Sequence, residues 1–508
     1  MNEMFKASNV EMLELYRALF NKIITEEKYP KSWNTSHTQL IYKDGARDDP
    51  SNYRGISLTS NMSKLFNSIL YTKLETYLED NKIIRPEQGG FRKNYRTADH
   101  IFVLQTIIEK YITKGQKIYG CFVDLKKAYD SVWRKGLIHK INQIGLGGKI
   151  GNIISEMYKE THTSLIYKDR ILPKIHTSKG VKQGDNLSPL LFNIYINDLP
   201  ESIEKGDTRP VQLHNGSINS LMWADDLVVL SETDKGLQQC INNLYEFSQT
   251  WINIKKTKAM TFNKTGAKIK QTKIFLGETL VLDKVTQYSY LGFTICASGT
   301  FSHGTQKLLD KAKRAWFGIL RILGKSSRKN IDTYTTLFDN TIKPIALYSC
   351  EIWGTKEKLE TKIEKFGRSE CEKFQTQICK NILAVNRKTS NIATVSELGR
   401  YPLYTDIHKK IVRYLIRFES LDKDRLLYKA YQEQRNEIRN KCNWLSRSKQ
   451  IFDNNGFSYV FRAIMNAQAA DLSRAFNTIA NKIQKREKEI FKQQIMYHNR
   501  TERNKTGR

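Results

Sequence analysis

The stretch LMWADDLVVL, Leu221–Leu230, decides the fold. Apolar residues run up to two adjacent carboxylates, Asp225 and Asp226, and resume directly after them. Residues that favour β-structure on both sides of a short polar tip predict a tight hairpin. Buried strands do not normally carry two acids side by side, because an unpaired buried charge is very costly. The tip is therefore either a solvated turn or a place where a positive charge binds.

The chain that contains this hairpin is strongly basic. The chain has 508 residues, with 83 Lys and Arg against 52 Asp and Glu, and its formal net charge is +31. Basic residues spread along the whole length indicate binding to a polyanion, either nucleic acid or an anionic membrane. No apolar run approaches the roughly 20 residues that span a bilayer, and residues 1–10 lack the apolar region of a signal peptide. We therefore expect an intracellular protein that binds nucleic acid, with no membrane partner.

The pattern of predicted elements indicates an α+β core followed by a basic helical region. Ile118–Leu125 is a short apolar run typical of a strand, and Gln287–Ile295 predicts another strand, in which Gly292 marks a bulge or a close approach. After about residue 305 the apolar periodicity is mostly helical. The last ten residues are polar and are expected to fray.

Asp124 connects the first of these strands with the hairpin. It lies near the end of the strand, and Asp225 follows 101 residues later. Adjacent strands of one sheet would bring the acids together, where they repel unless a hard cation neutralises them. Mg²⁺ takes oxygen ligands, and a pair of such ions stabilises both the attacking and the leaving oxygen of a phosphoryl displacement. A basic chain with this site is a candidate nucleotidyltransferase or nuclease.

Motifs in chain order resemble those of reverse transcriptases, in particular the non-LTR (LINE-type, jockey-like) retrotransposon class. The palm motifs are FVDLKKAYDSV (residues 122–132), GVKQGDNLSPLLFNIYINDL (180–199) and MWADDLVVLSE (222–232). The flanking motifs are NYRGISL (52–58), PEQGGFRKNYRTADHIF (86–102), KKTKAMTF (255–262) and YLGFTI (290–295). The resemblance covers about residues 8–300 and continues more loosely toward the C-terminus.

The resemblance implies a right-hand polymerase fold and its activity. Fingers would span residues 1–116, a palm with an antiparallel sheet, the active site and associated fingers elements 117–300, a thumb-like helical region 301–400, and a basic helical region with a frayed tail 401–508. The implied activity is extension of a DNA 3′-hydroxyl, on a DNA primer or target, along an RNA template, from dNTPs and with two Mg²⁺ ions, or Mn²⁺ in their place. Such elements usually also encode an endonuclease, so we expect a partial copy. The expected location is the nucleus, at the site of integration.

The resemblance also implies roles for individual residues. Metal ligands would be the carboxylates of Asp124, Asp225 and Asp226 and the carbonyl of Leu125, while Lys256 would protonate the departing pyrophosphate. Residues that bind the nucleotide would be Lys43, Arg54, Arg92, Tyr129, Gln183 and Gly184. A hairpin that seats the primer end would be formed by Tyr290, Leu291, Gly292 and Phe293.

Some of these residues have a simpler interpretation. Tyr129 would crowd a 2′-hydroxyl and so select deoxynucleotides, but it is also compatible with a core tyrosine beside a strand. Lys43 and Arg92 would grip the triphosphate, but each is equally compatible with a solvated surface side chain. Arg54 is the strongest of the basic candidates, because its planar guanidinium suits phosphate.

The sequence departs from the family pattern at two positions. Trp223 replaces the usual Tyr or Phe, which keeps an aromatic ring beneath the hairpin. Trp251 directly precedes Ile252 and Asn253, where the family has a longer connection that would place Lys256. The alternative hypothesis is therefore a catalytically impaired remnant that binds nucleic acid. An RNA-templated RNA polymerase or an intron maturase shares the palm motifs, and Tyr129 and the LINE-like spacing argue against the former.

Overall fold

The computed structural model describes residues 2–43, 45–168, 170–248, 251–267, 273–277, 279–323, 330–356, 366, 369–438, 443–466 and 473–506. Strands occur up to residue 296, and the remainder is helical, which confirms the predicted α+β class. No helix in the part of the chain so described is long and apolar enough to cross a membrane.

The strands, in chain order, are β1 (Thr35–Tyr42), β2 (Tyr53–Leu58), β3 (Ile118–Asp124), β4 (Thr161–Tyr167), β5 (Arg170–Ile171), β6 (Ile175–Thr177), β7 (Val211–Leu213), β8 (Gly216–Ile218), β9 (Ser220–Trp223), β10 (Asp226–Ser231), β11 (Lys258–Phe262), β12 (Phe275–Leu276), β13 (Leu280–Val281), β14 (Gln287–Tyr290) and β15 (Phe293–Cys296).

The helices before residue 300 are α1 (Asn2–Lys6), α2 (Val10–Glu26), α3 (Asn61–Asp80), α4 (Thr97–Thr113), α5 (Ala128–Ser131), α6 (Arg134–Ile141), α7 (Lys149–Lys159), α8 (Ser188–Tyr195), α9 (Leu199–Ile203) and α10 (Asp234–Ser248). Those after it are α11 (Ser302–Leu323), α12 (Ile331–Leu337), α13 (Lys343–Ala346), α14 (Cys350–Trp353), α15 (Glu370–Leu383), α16 (Asn391–Glu397), α17 (Leu403–Phe418), α18 (Leu426–Asn436), α19 (Trp444–Asn454), α20 (Ser458–Met465) and α21 (Ser473–Thr506).

An antiparallel sheet in the order β11-β3-β10-β9 lies at the centre of the chain. Its middle strands are apolar on both faces because both faces are covered. On β3, Phe122 contributes to one hydrophobic core, whereas Cys121 and Val123, which point the other way, contribute to a second. The sheet is therefore held rigidly from both sides, and its strand ends are a stable base for a site.

A second, mixed sheet lies beside the central one. Its order is β2-β1-β4-β5, with β6 also paired to β4, and β1 runs parallel to β4. A hydrogen bond of 2.7 Å from the Ser57 backbone N–H to the Gln183 carbonyl ties β2 to the loop before α8. This connection brings the basic residues around β1 and β2 toward the palm motifs.

The C-terminal helices do not form a separate core. One continuous core runs from Ala98 on α4, through the central sheet, to Ile483 on α21. The boundaries predicted at residues 300 and 400 therefore do not separate independent cores, and they stay a proposal about functional units.

Several predicted element boundaries are corrected. Gln287–Ile295 is a hairpin rather than one strand, because Leu291 (φ 47°) and Gly292 (φ 79°) adopt left-handed backbone conformations that reverse the chain. The apolar run at residues 187–199, which predicts a single helix, is divided into α8 and α9. At the C-terminus, α21 continues to Thr506, where fraying was predicted from the polar composition.

Candidate active site

The β9–β10 hairpin turns over two residues, Ala224 and Asp225. Asp226 lies inside the ladder, opposite Trp223 on one side and opposite Asp124 of β3 on the other. The predicted two-acid tip is thus corrected to one acid in the turn and one at the first position of β10. Ala224 has φ 56°, a left-handed conformation that costs a residue with a Cβ about 1 kcal/mol. Something must hold this turn in place.

A loop before α4 holds the strained turn. The side-chain carbonyl of Gln88 accepts hydrogen bonds from the backbone N–H groups of Ala224 (3.0 Å) and Gly90 (2.7 Å). The same loop forms a short parallel bridge with β9, in which the Gly89 N–H donates to the Met222 carbonyl at 2.9 Å. A Cβ on Gly90 would lie 2.3 Å from the Ala224 nitrogen. A glycine is therefore required here for the loop to approach the turn.

The aromatic ring of Trp223 packs below the turn against His100. The two ring centroids are 5.3 Å apart and nearly perpendicular. Burial lowers the pKa of His100 to about 4, so this ring is neutral at physiological pH. The departure from the family pattern at Trp223 is thus accommodated by an uncharged aromatic neighbour.

The three carboxylates share one end of the central sheet. Asp124 ends β3 directly opposite Asp226, and Asp225 precedes Asp226 in the turn. The side chains of Asp225 and Asp226 reach solvent. Burial by surrounding protein, then the charges of Asp225 and Asp124, raise the pKa of Asp226 to about 6. Burial and Asp124 also raise the pKa of Asp225, while Arg54 and Lys43 oppose that rise.

This donor set fits a hard divalent cation. Within the described ranges, no group of three or more His, Cys, Asp or Glu side chains has the arrangement of a metal site. The chemistry of the donors is nevertheless suitable: the charge of Asp124 helps to raise the pKa of both Asp225 and Asp226, and a cation would relieve that repulsion. The Leu125 carbonyl is also available, since the bridge between Leu125 and Ile252 is closed by backbone groups of the neighbouring residues.

Replacing Asp226 by asparagine is expected to stabilise the metal-free protein at pH 7.5. The pKa of Asp226 is raised to about 6 in the folded chain, above the value of about 4 for unfolded aspartate. The contribution of the protonated side chain to the free energy of unfolding is therefore lost as the pH rises from about 4 to about 6. Because the side chain reaches solvent, the expected gain is only about 1 kcal/mol. Denaturant unfolding of wild type and Asp226→Asn across this pH range measures it, with the exposed Asp80→Asn as the control. A difference in the free energy of unfolding between wild type and Asp226→Asn that does not change with pH would contradict the raised pKa of Asp226.

Tyr129 lies beside the carboxylates in an aromatic cluster. Its ring stacks on Phe192 with centroids 5.1 Å apart and meets Phe91 edge-on at 6.3 Å. Burial and the nearby charge of Asp225 raise the pKa of Tyr129. The ring is half-buried, so it is held by the core while part of it remains accessible next to the acids.

The loop with Gln183 and Gly184 lies between Tyr129 and β2. The Val181 N–H donates to the Tyr129 carbonyl at 2.9 Å, and the Gln183 carbonyl accepts from Ser57 as described above. Gly184 has φ 119°, and a Cβ there would lie 2.6 Å from the Ser57 carbonyl oxygen. The glycine is therefore needed both for its conformation and for the close approach of two backbones.

The three basic candidates for triphosphate binding separate into two groups. Lys43 and Arg54 are exposed, and both are close enough to Asp225 to lower its pKa. Arg92, by contrast, is 8% exposed and makes a bidentate pair with Glu79, with both N–O distances 2.7 Å. Its remaining nitrogen donates to the carbonyls of Arg85 and Gln88. Arg92 thus ties the loop that supports the turn to α3, and its role in binding the triphosphate stays a prediction.

Lys256 lies in an exposed turn after a segment that extends the sheet beside β3. The Lys126 N–H donates to the Trp251 carbonyl at 2.5 Å, and the Asn253 N–H donates to the Asp124 carbonyl at 2.8 Å. The connection that is shorter than in the family lies between Trp251 and Ile252, and no comparison tests how it affects Lys256. Displacement of Lys256 by the shorter connection therefore stays a prediction.

A second hairpin lies next to the acids and is formed by Tyr290, Leu291, Gly292 and Phe293. Asp226 is close enough to Tyr290 to contribute, after burial, to raising its pKa. Tyr290 and Phe293 are buried, whereas Gly292 at the tip is exposed. The Tyr348 hydroxyl donates to the Leu291 carbonyl at 2.8 Å and also contacts the Thr97 hydroxyl at 2.8 Å. The tip is thus tethered to α4 and to the helical region.

Two residues at this site were not predicted from the sequence, Gln88 and Asn253. Gln88 supports the turn, and the Asn253 side chain donates to Asp124 Oδ2 at 2.8 Å. Both belong to segments that the motif comparison included, PEQGGF and the I-N pair after Trp251. In the sequence, each of the two is a polar residue beside an apolar or glycine-rich run. That pattern does not identify the residue with which the side chain forms a hydrogen bond.

Comparison with known proteins gives a consistent result. A family model for reverse transcriptase (RNA-dependent DNA polymerase) matches residues 41–295, half of the chain. The chain is similar to a probable RNA-directed DNA polymerase from transposon BS of Drosophila melanogaster, with 26% identity over 369 residues, 70% of this chain and 40% of that protein. It is also similar to the RNA-directed DNA polymerase from mobile element jockey of the same species, with 23% identity over 68% of this chain and 38% of that protein.

The matched relatives are longer proteins. The chain spans about two fifths of the length of the two relatives named above. Among solved structures, it is similar to apo telomerase from Candida tropicalis, with a TM-score of 0.39 and 13% identity over 83% of this chain and 73% of that one.

Proposed function

Because the chain belongs to the reverse transcriptase family, we propose that it is an RNA-directed DNA polymerase of a non-LTR retrotransposon. It extends a DNA 3′-hydroxyl along an RNA template, with dNTPs as substrates, and it acts in the nucleus at the site of integration. Base selection comes from pairing with the template rather than from protein side chains.

One observation carries this proposal: the carboxylates of Asp124, Asp225 and Asp226 share one sheet end, with Lys43 and Arg54 close to Asp225. Acids alone would suit many metal sites, and basic residues alone would suit any phosphate. Acids and bases that face one another provide for both a cation and the phosphates it accompanies. A nucleoside triphosphate at a primer end presents this combination.

Different side chains have different roles in nucleotidyl transfer. Asp124, Asp225, Asp226 and the Leu125 carbonyl would hold two Mg²⁺ ions, or Mn²⁺, which when bound lower the pKa of the primer hydroxyl and neutralise phosphate charge. Lys43 and Arg54 bind the triphosphate by charge-assisted hydrogen bonds. Gln183 and Gly184 pack against the nucleotide, and the hairpin of Tyr290, Leu291, Gly292 and Phe293 seats the primer end. Lys256 donates a proton to the departing pyrophosphate.

A second candidate is a catalytically impaired remnant that binds nucleic acid. The short connection before Lys256 favours it, because a displaced Lys256 would slow the chemical step while the acids remain in place. The two candidates differ only in turnover, since both predict binding to a primed template.

Primer extension tests the proposal. The full chain is incubated with a DNA-primed RNA template, Mg²⁺ and dNTPs, and compared with Asp225→Asn. Extension by the wild type alone is the expected result. Binding of the primed template without synthesis by either protein would overturn the polymerase proposal and support the remnant.

Replacing Tyr129 by alanine is expected to raise incorporation of ribonucleotides relative to deoxynucleotides by about 10–100-fold, because removal of the ring leaves space for a 2′-hydroxyl. Single-nucleotide extension with a dNTP and the matching NTP gives the ratio. Tyr129→Phe keeps the ring and should keep the wild-type ratio. If Tyr129→Ala also keeps it, Tyr129 is a core residue and not a sugar gate.

A further inference from the structure

Asn253 is held in a fixed position beside the end of β3. Its backbone N–H donates to the Asp124 carbonyl at 2.8 Å. Its own carbonyl accepts from the N–H groups of Lys256 (3.1 Å) and Thr257 (2.8 Å). The Thr257 hydroxyl in turn accepts from the Asp124 N–H at 3.4 Å. Asn253 and Asp124 are therefore joined by one direct backbone bond and by a second connection through Thr257.

The side chain of Asn253 makes a direct bond to the candidate ligand. Its amide nitrogen, Nδ2, donates to Asp124 Oδ2 at 2.8 Å. In the part of the chain that the structure describes, this is the side-chain donor that engages the Asp124 carboxylate. A carboxylate with one oxygen bonded in this way has one preferred orientation of its plane, so its other oxygen is presented in a defined direction.

An asparagine suits this position better than a charged residue does. Its amide donates a hydrogen bond without adding or removing charge. An aspartate would add a fourth carboxylate to the three that already share one end of the sheet. A lysine would neutralise Asp124 and compete with a cation for it. The amide orients the carboxylate and leaves its charge available.

The sheet register explains how this residue comes to face Asp124. Ile252 is buried opposite Leu125, and the flanking backbone bonds place Asn253 beside Asp124. Side chains along a strand alternate between faces, so a slip of one residue would replace the amide by the apolar Ile252 or the exposed Ile254. The direct succession of Trp251, Ile252 and Asn253 therefore still places Asn253 beside the acid.

We propose that Asn253 is a positioning residue that orients the Asp124 carboxylate for binding a divalent cation. This inference rests on the proposed polymerase function, since it concerns the same carboxylates. It extends the site from the three acids to a neutral donor whose role is the geometry of one ligand.

Binding of Mn²⁺ tests the inference without requiring turnover. The full chain is bound to a primed template without nucleotide, and free Mn²⁺ is measured by electron paramagnetic resonance. We expect Asn253→Ala to weaken Mn²⁺ binding by about 10-fold, within the range for loss of a residue that supports a metal ligand. Asn253→Leu, which keeps the branching at Cγ but has no donor, should give the same loss. Asn242→Ala, on the exposed face of α10, should bind as the wild type does, and Asp124→Asn should bind much more weakly than either Asn253 variant.

The outcomes separate the two proposals. Wild-type affinity in both Asn253→Ala and Asn253→Leu, together with weak binding by Asp124→Asn, would overturn the role of Asn253 and leave the polymerase proposal intact. Weakened Mn²⁺ binding in both variants, in a protein that fails to extend a primer, would support the role of Asn253 and overturn the polymerase proposal. In the active protein, we also expect Asn253→Ala to raise the Mg²⁺ concentration at half-maximal extension about 10-fold, a shift that a general loss of stability would not produce.

Discussion

Asp225→Asn is expected to lower DNA synthesis on a primed RNA template by about 10³-fold while the protein stays folded and binds the template as before. The substitution is nearly isosteric and removes one negative charge from the turn between β9 and β10. Asp225 lies next to Asp226 and close to Asp124, and the charges of Arg54 and Lys43 act to lower its pKa. Loss of its charge removes a cation ligand and the partner of the triphosphate-binding side chains together.

A matched control distinguishes this role from the general effect of an acid near the site. Asp130 is an exposed carboxylate that follows Tyr129 directly, and it belongs to neither strand end. Asp130→Asn is therefore expected to keep synthesis within about 10-fold of the wild type. Template binding by fluorescence anisotropy and melting temperature should be unchanged in both variants. Synthesis by Asp225→Asn at the wild-type rate would exclude Asp225 as a catalytic residue.

Arg417→Ala is expected to destabilise the protein by about 3–5 kcal/mol, because it leaves the Asp99 carboxylate buried without its cation. Arg417 on α17 pairs with Asp99 on α4 through two bonds of 2.6 and 2.9 Å, and the Asp99 side chain is 4% exposed. The Tyr414 hydroxyl adds a third bond at 3.2 Å. Denaturant unfolding measures the loss, and Arg413→Ala, exposed on the same helix, should change stability by less than about 0.5 kcal/mol.

Arg417→Ala should also lower the rate of DNA synthesis per folded molecule. Arg417 donates to the Asn94 carbonyl, and Arg425 donates to the Asn94 and Lys93 carbonyls and stacks on the Tyr95 ring. These contacts anchor the loop whose Gln88 supports the Ala224–Asp225 turn. Synthesis measured per folded molecule at low temperature is therefore expected to fall in Arg417→Ala. Unchanged specific activity would indicate that the C-terminal helices stabilise the chain without supporting the turn.

Much of the site could be predicted from the sequence because the features involved are local. The hairpin follows from apolar residues on both sides of a polar tip, and the α+β class follows from the order of strand-like and helical periodicities. The chemistry of Asp124, Asp225 and Asp226 is a property of the residue types. Predictions failed where a local pattern has more than one solution, as at Gln287–Ile295, where the left-handed conformations of Leu291 and Gly292 convert a strand into a hairpin.

The sequence by itself thus determined which side chains are candidates for the chemistry, and the tertiary structure decided what holds them. Gln88 and Ala224 are 136 residues apart, Asn253 and Asp124 are 129 apart, and Arg417 and Asp99 are 318 apart. Arg92 has the same charge whether it binds a phosphate or Glu79, and only the packing of the loop against α3 selects Glu79. A hydrogen-bonding partner is chosen by where two distant segments meet in space, and that depends on the packing of the whole chain rather than on any stretch of it.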